Sequence, residues 1–316
     1  MSRLVAVLVT RNRAALLMQV LDALDGQTRR PDLIVVVDNG STDDTAARLA
    51  TRAAADARLH PLRLDRNLGG AGGFAEGIRR ACALGADHLW LSDDDAIPRP
   101  DTIATLIDAL ERFEHHNGRR PPFACSRVVW TDGRLCEMNT PRPVWDWPRF
   151  LTATDGVALV DSCSFVSVLI PRWAVERHGL PIAEYFIWFD DAEYTRRLSA
   201  DHPGLYVPAS VIRHDIALNR GVNFGRVTPD DLWKFRFGAR NEASFHLRRE
   251  GWISYLLFVD HVLRQLRAGK VPLRLRWPIW RSLAAALTFN PRIRRLDDRD
   301  ADKPRPDHAG TRQPGP

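Results

Sequence analysis

The sequence predicts an α/β protein with a Rossmann-like, nucleotide-binding half, a mixed central sheet flanked by helices, and a C-terminal helical extension. Three observations predict it. Short apolar runs alternate with amphipathic helical patterns between Leu4 and Phe113. Each of those runs ends in polar or glycine-rich residues. Beyond Thr228 the pattern becomes helical throughout. Strands alternating with helices imply a parallel sheet covered on both faces, with ligands at the carboxyl ends of its strands.

The first strand is the run Leu4 to Val9, ending at Thr10, Arg11, Asn12 and Arg13. Leu17, Val20, Leu21 and Leu24 then share one face of a helix, which Pro31 breaks. Leu33 to Val37 is the second strand, and it ends at Asp38, Asn39 and Gly40. Ser41 with Asp44 reads as a capping box for an Ala-rich helix to Ala55. A strand from Leu59 to Leu64, a glycine-rich turn and a helix from Ala71 to Leu84 follow. Glycines at 69, 70, 72 and 73 let backbone amides approach a diphosphate at a helix N-terminus; a plain flexible loop is the other reading. The dinucleotide fingerprint is absent, because Arg11, Asn12 and Arg13 stand where its glycines belong.

His88 to Asp95 is the stretch around which the chain is organised. A buried strand runs into three consecutive carboxylates and is stopped by Pro98 and Pro100. Three acids in a row repel one another, and Mg²⁺ or Mn²⁺, which favours oxygen ligands, relieves that cost. A solvated acidic turn capping the helix after Asp101 is the alternative. That helix reaches Phe113, and the Pro- and Trp-rich segment from Pro121 to Thr154, with Trp130, Trp145 and Trp147, reads as irregular, with a hairpin turn at Asp132 and Gly133. A strand from Phe165 to Ile170 leads to a helix near Val175.

A second cluster runs from Tyr185 through Trp188, Asp190, Asp191 and Glu193 to Arg197. Its acids suit a first helical turn through the helix dipole alone, or a general base beside an aromatic wall. His214 follows a short strand and is either structural or a metal ligand. Thr228, Pro229 and Asp231 form a helix start. Between Trp252 and Arg281, aromatic and apolar residues interleave with Arg, as in a helix lying at a membrane surface or a helical hairpin packed on the main body.

Composition sets the bounds. At 316 residues and 45% hydrophobic, the chain can fill a full core. Its net charge of +6 rests on Arg, since Lys234, Lys270 and Lys303 are its only lysines. Arg suits phosphate groups. Four scattered cysteines show no C-x-x-C pair, which argues for a reduced compartment rather than a disulfide or zinc framework. No run of apolar residues is long enough for a membrane span, and the short first strand is unlike a signal peptide. The expected location is the cytoplasm, peripheral at the inner face of the cell membrane, and no nucleic-acid partner is expected. The organisation expected is a catalytic domain over 1–225, a helical region over 226–296 and a disordered tail over 297–316.

With these residues in hand, the chain resembles family 2 inverting glycosyltransferases of GT-A fold. The resemblance rests on Thr10 to Arg13, Asp38 to Asp43, Asn67 with Gly69 and Gly70, and Asp93 to Asp95, four motifs in order. Arg66 to Phe74, Trp90 to Asp95, Phe186 to Glu193, and Arg240 with Asn241 are similar to bacterial galactofuranosyltransferases acting on polyprenyl-diphosphate acceptors. The match loosens between 120 and 160 and beyond 255. The resemblance implies a nucleotide-sugar donor, with Thr10, Arg11, Asn12 and Asp38 toward the uracil and ribose, and Asn67, Gly69 and Gly70 toward the diphosphate. It implies Asp93, Asp95 and His214 as ligands of Mn²⁺ or Mg²⁺, with Asp94 beside the donor. It implies Asp191 as catalytic base, with Asp190 as the other candidate, Asp190 and Glu193 holding acceptor hydroxyls, Trp188 walling the acceptor site, and Arg240 among the substrate-binding residues.

The function implied is transfer of galactofuranose from UDP-galactofuranose to a lipid-linked saccharide in cell-wall polysaccharide synthesis. A dTDP-rhamnose-dependent transferase of the same family is one alternative. A non-catalytic nucleotide-sugar-binding or membrane-surface scaffold is another. A phosphatase would place its Asp-x-Asp after the first strand, and a nucleotidyltransferase would carry a glycine-rich loop where Arg11 to Arg13 stand.

Overall fold

The computed structural model describes residues 2–151 and 155–298. The tail expected over 297–316 therefore lies, beyond Asp298, outside the described residues. β1 (Leu4–Thr10), β2 (Leu33–Asp38), β3 (Leu59–Arg63) and β4 (His88–Asp93) form a parallel set in the order β3-β2-β1-β4. Helices α1 (Ala14–Asp25), α2 (Thr45–Ala55) and α3 (Gly69–Ala83) connect them. Continuous β-branched and Leu runs such as Leu33 to Val37 suit strands buried on both faces, and Leu17, Val20, Leu21 and Leu24 of α1 are buried against one of those faces.

β5 (Ala96–Pro98) returns directly after β4, and α4 (Thr102–Asn117) follows. The rest of the sheet is mixed. β6 (Ala124–Val129) is parallel to the long β10 (Gly204–His214), and β9 (Val168–Pro171) lies antiparallel between β4 and β6. β7 (Arg142–Pro143) and β8 (Ala158–Ser162) extend the sheet beyond β10. The segment expected to be irregular therefore contains strand β6 and supplies an edge. The Asp132–Gly133 turn is present, with Gly133 at φ +84° and Trp130 and Arg134 paired across it. Val129 and Leu135 bridge antiparallel.

One helix cap differs from expectation. Ser41 does not cap α2; its hydroxyl accepts from the Asn12 amide, and Asp43 accepts from the Thr45 hydroxyl instead. The start at Thr228 fares better, since Asp231 accepts from the Thr228 amide just before α7 (Leu232–Phe245). A π-turn at His246–Glu250 joins α7 to α8 (Trp252–Ala268), and α9 (Leu273–Ala285) completes the helical part. Its interior is built from Phe224, Phe235, Val262, Leu266, Ile279 and Leu283. None of the described helices is long and apolar enough to cross a membrane. All four cysteines are buried and unpaired.

Candidate active site

The site lies where the parallel strands end. Thr10 on β1 pairs in register with Asp38 on β2, and Val9 with Asp93 on β4. The acidic turn 93–95 then leads into β5, which pairs antiparallel with β10, so that His214 stands opposite Ala96. The Asp215 amide donates to the Asp95 carbonyl and closes this corner. Residues more than a hundred positions apart are thereby brought side by side.

One ligand atom each from Asp93, Asp95 and His214 lies within 4.8 Å of the others. His214 Nε2 stands 3.1 Å from Asp95 Oδ1, and its Nδ1 is 2.8 Å from Asn139 Oδ1. An amide oxygen only accepts, so Nδ1 carries a proton and Nε2 is turned toward the carboxylates. Two carboxylates and an imidazole are a donor set suited to Mn²⁺ or Mg²⁺. The electrostatics agree with an ion-binding corner. Burial, together with the Asp95 charge, pushes Asp93 up to about 7. Burial opposes ionisation of Asp95 too, but the hydrogen bond and charge of His214 and the charge of Arg13 hold it below its ordinary value. Burial disfavours the His214 cation, yet its bonds to Asp95 and Cys136 and the Asp93 charge raise it to about 10.

Several side chains expected to meet substrate are committed inside the protein instead. Asp94 accepts from the Thr10 hydroxyl at 2.6 Å and from Arg13 Nη1 at 3.1 Å, so the Thr10–Asp94 pair braces the acidic turn. Asn12, at φ +55°, clasps Thr42 through both ends of its amide. Arg11 is exposed, and Asp38 is buried with Oδ1 on the Ser41 amide and Oδ2 without a hydrogen bond, 3.9 Å from Nε of the exposed Arg63. A buried carboxylate oxygen that accepts no hydrogen bond, at a strand end, is the feature a bound nucleoside would satisfy.

The glycine-rich turn also differs from expectation. The Leu68 amide donates to Asn39, the Gly69 amide to Asn67 and the Ala71 amide to the Phe186 carbonyl, so these amides already have partners. Gly69 and Gly73 serve close packing, since a Cβ there would lie 2.0 Å from the Phe186 carbonyl oxygen and 2.5 Å from Val9, while one on Gly70 would meet open space.

Opposite stands a strap, residues 185–189, leading into α6 (Asp190–Leu198). Phe186, Trp188 and Phe189 all have left-handed backbones, at φ +63°, +66° and +68°. Such residues cost about 1–3 kcal/mol each and persist only where the surroundings impose them. Asn241 imposes them here. Its buried Nδ2 donates to the carbonyls of Tyr185, Ile187 and Trp188, at 2.9, 3.2 and 3.0 Å. Arg240 donates to the Glu184 carbonyl and lies over the Phe289 ring, so it supports the strap. Trp188 packs edge-on against Phe235, ring centroids 4.8 Å apart.

The strap delivers two acids. Burial, the Asp191 charge and, further off, the Asp93 charge push Asp190 well above the ordinary carboxylate value. Asp191 is half-buried; burial raises it to about 6, although the Ala192 amide stabilises its Oδ1 at 2.7 Å. Glu193 departs from its expected acceptor role. It is fully buried, both oxygens bound by Arg197 at 2.9 Å, and Arg197 in turn donates to the carbonyls of His178 and Leu180.

Three further residues of the site, Arg13, Asn39 and Asn139, carry no role in the sequence reading. Arg13 and Asn39 sit within the strand-end motifs and could have been singled out there. Asn139 lies on a short turn 75 residues from His214, and nothing in the sequence joins the two.

The model of Glycosyl transferase family 2 matches residues 5–141. The chain is 43% identical over 207 residues to Galactofuranosyltransferase GlfT1 of Mycobacterium tuberculosis, covering 61% of this chain and 63% of that protein. It is 35% identical over 206 residues to GlfT1 of Mycolicibacterium smegmatis, covering 61% and 64%. The chain thus spans less than two thirds of the length of these relatives. Among solved structures, GalNAc-T7 with UDP, GalNAc and Mn²⁺ superposes with a TM-score of 0.56 at 17% identity, over 83% of this chain and 54% of the other. TarS of S. aureus superposes with a TM-score of 0.60 at 16% identity, over 91% and 49%. Residues 5–141 are thus similar to glycosyltransferase family 2, and the mixed sheet, flanking helices and C-terminal helices form the GT-A fold.

Proposed function

We propose that the chain is an inverting, metal-dependent glycosyltransferase moving galactofuranose from UDP-galactofuranose onto a polyprenyl-diphosphate-linked saccharide of the cell wall. The observation that carries this reading is that two acidic centres lie close together. Asp93, Asp95 and His214 form one. Asp190 and Asp191 form the other, and the two are close enough for the Asp93 charge to bear on Asp190. The activity for which the mycobacterial relatives are named supports the choice of donor sugar.

In this reading Asp38 takes a donor group of the nucleoside on Oδ2, which accepts no hydrogen bond within the chain. A divalent cation held by Asp93, Asp95 and His214 would neutralise charge on the departing diphosphate. Asp191, with its pKa near 6, is ionised at neutral pH and takes the proton of the acceptor hydroxyl, while burial and the Asp191 charge make the deeper Asp190 the harder of the two to ionise. A positioned base contributes roughly 10²–10⁴-fold. Direct displacement inverts the anomeric centre without a covalent enzyme intermediate.

The lipid-linked acceptor calls for a seat at the membrane, and α8 and α9 supply a surface with that chemistry. Trp252, Ile253, Leu256, Leu257, Leu273 and Trp277 are exposed, beside exposed Arg248, Arg249, Lys270, Arg274 and Arg281. Exposed aromatic and apolar side chains rimmed by cations suit an anionic lipid interface. Flotation with anionic liposomes tests this; Leu257→Glu with Trp277→Glu should abolish co-flotation, and undiminished co-flotation would refute it. The reaction is tested by a donor screen with UDP-galactofuranose, dTDP-rhamnose and UDP-hexopyranoses, Mn²⁺ and a lipid-linked disaccharide. Transfer from UDP-galactofuranose is expected; transfer from dTDP-rhamnose alone would move the donor assignment, and binding without turnover would make the protein a sensor.

A further inference from the structure

Arg13 follows β1 and begins α1, and its guanidinium reaches into the acidic turn. Nη1 lies 2.5 Å from Asp95 Oδ2 and 3.1 Å from Asp94 Oδ1. The other Asp94 oxygen is held by Thr10, and the other Asp95 oxygen faces His214. Every oxygen of this pair thus has a donor, and one of the two on Asp95 belongs to Arg13. Asp95 is also one of the three groups that converge as cation ligands. A guanidinium and a divalent cation of the same sign cannot both sit on that carboxylate without repulsion.

The two ends of Arg13 are unequal. Asp94 and Asp95 are fixed and buried, whereas the Arg13 side chain is 51% exposed and free to turn toward the cleft. What lies outward in the proposed reaction is the diphosphate of the donor, and a guanidinium fork matches phosphate oxygens. We propose that Arg13 holds the Asp95 carboxylate while no cation is bound, and yields it to the cation while turning to the nucleotide's diphosphate. Cation binding and diphosphate binding are then coupled through this one side chain. The inference rests on the metal-dependent transferase reading above.

The test uses the full chain, with Mn²⁺ binding followed by electron paramagnetic resonance and UDP binding by calorimetry with and without Mn²⁺. Coupling between two ligands typically amounts to about 5- to 150-fold. In Arg13→Gln, Mn²⁺ alone should bind roughly tenfold tighter, because its competitor is gone, and UDP with Mn²⁺ roughly tenfold weaker. Uridine, which lacks phosphates, should bind as in the wild type. Unchanged or weaker Mn²⁺ binding in Arg13→Gln, or unchanged UDP affinity with Mn²⁺, would overturn the proposal. If Arg13→Gln does not fold by circular dichroism, Arg13→Lys is decisive: it should bind Mn²⁺ more tightly than the wild type, and wild-type values would overturn the proposal. A wild-type protein that binds no Mn²⁺ would remove the transferase reading along with this one. A wild type that binds Mn²⁺ beside an unaltered Arg13→Gln would remove this inference alone.

Discussion

Gly69 stands directly against Phe186: a Cβ on Gly69 would fall 2.0 Å from the Phe186 carbonyl oxygen. Gly69 also adopts φ +72°, a conformation that disfavours side chains. The glycine-rich turn and the strap that carries Asp190 and Asp191 are therefore in direct backbone contact, and the Ala71 amide donates to the same carbonyl at 3.2 Å. Gly69→Ala should push the strap away. A destabilisation of about 2 kcal/mol or more is expected in chemical denaturation, together with lost turnover. By contrast Gly70→Ala, which meets open space, should be tolerated.

Asn241 is predicted to govern turnover from behind the cleft. Removing its amide leaves the Ile187 and Trp188 carbonyls without their donor, while the Tyr185 carbonyl keeps the Ile187 amide, at a cost of about 1–3 kcal/mol for each buried group left unpaired. The left-handed residues it imposes would then relax. Asn241→Ala should lower kcat by more than about tenfold, equivalent to about 1.4 kcal/mol of barrier, while calorimetry shows UDP affinity unchanged. An equal fall in UDP affinity would mean that Asn241 serves the fold at large and not the strap.

The shifted Asp191 gives a pH prediction. As the base it must be ionised, so kcat should fall as pH drops through about 6 and be flat above it. The same shift destabilises the fold. A carboxylate with its pKa raised in the native state binds more protons there than when unfolded, so stability is lost as pH rises from about 4 to about 6. Asp191→Asn should accordingly be more stable than wild type at pH 7.5, by on the order of 1–3 kcal/mol, with the difference vanishing near pH 4. It should also lose transfer activity. A flat pH profile for kcat down to pH 5 would reassign the base.

Glu193 is expected to matter for stability and not for acceptor binding. Removing one partner of a buried ion pair leaves the other charge uncompensated, which costs about 3–5 kcal/mol. Glu193→Gln should lower the melting temperature while leaving acceptor KM unchanged for the folded fraction. A raised KM at full stability would restore its acceptor role.

The parallel half of the fold was legible because both periodicities are strong there: buried runs such as Leu33 to Val37, and the α1 face of Leu17, Val20, Leu21 and Leu24. The acidic turn was legible too, since three adjacent carboxylates at the end of a buried strand repel one another until a cation or a donor side chain offsets their charge. Beyond that, residue type misled where partners lie far apart in sequence. The glycines at 69–73 look like a phosphate cradle until Phe186 and Val9 are seen against them. Asn139 and His214 meet only because the 130–144 excursion folds back over β10. Such contacts depend on strand order, and the order β4-β9-β6-β10 is not written in any local pattern.

The most direct test of the central claim is sugar transfer from UDP-galactofuranose to a lipid-linked acceptor, measured after chelation and again after Mn²⁺ is restored, in wild type and Asp95→Asn. The proposed mechanism predicts that EDTA abolishes transfer in the wild type, that Mn²⁺ restores it, and that Asp95→Asn stays inactive at the same Mn²⁺ concentration. Full transfer in EDTA, or by Asp95→Asn, would contradict it.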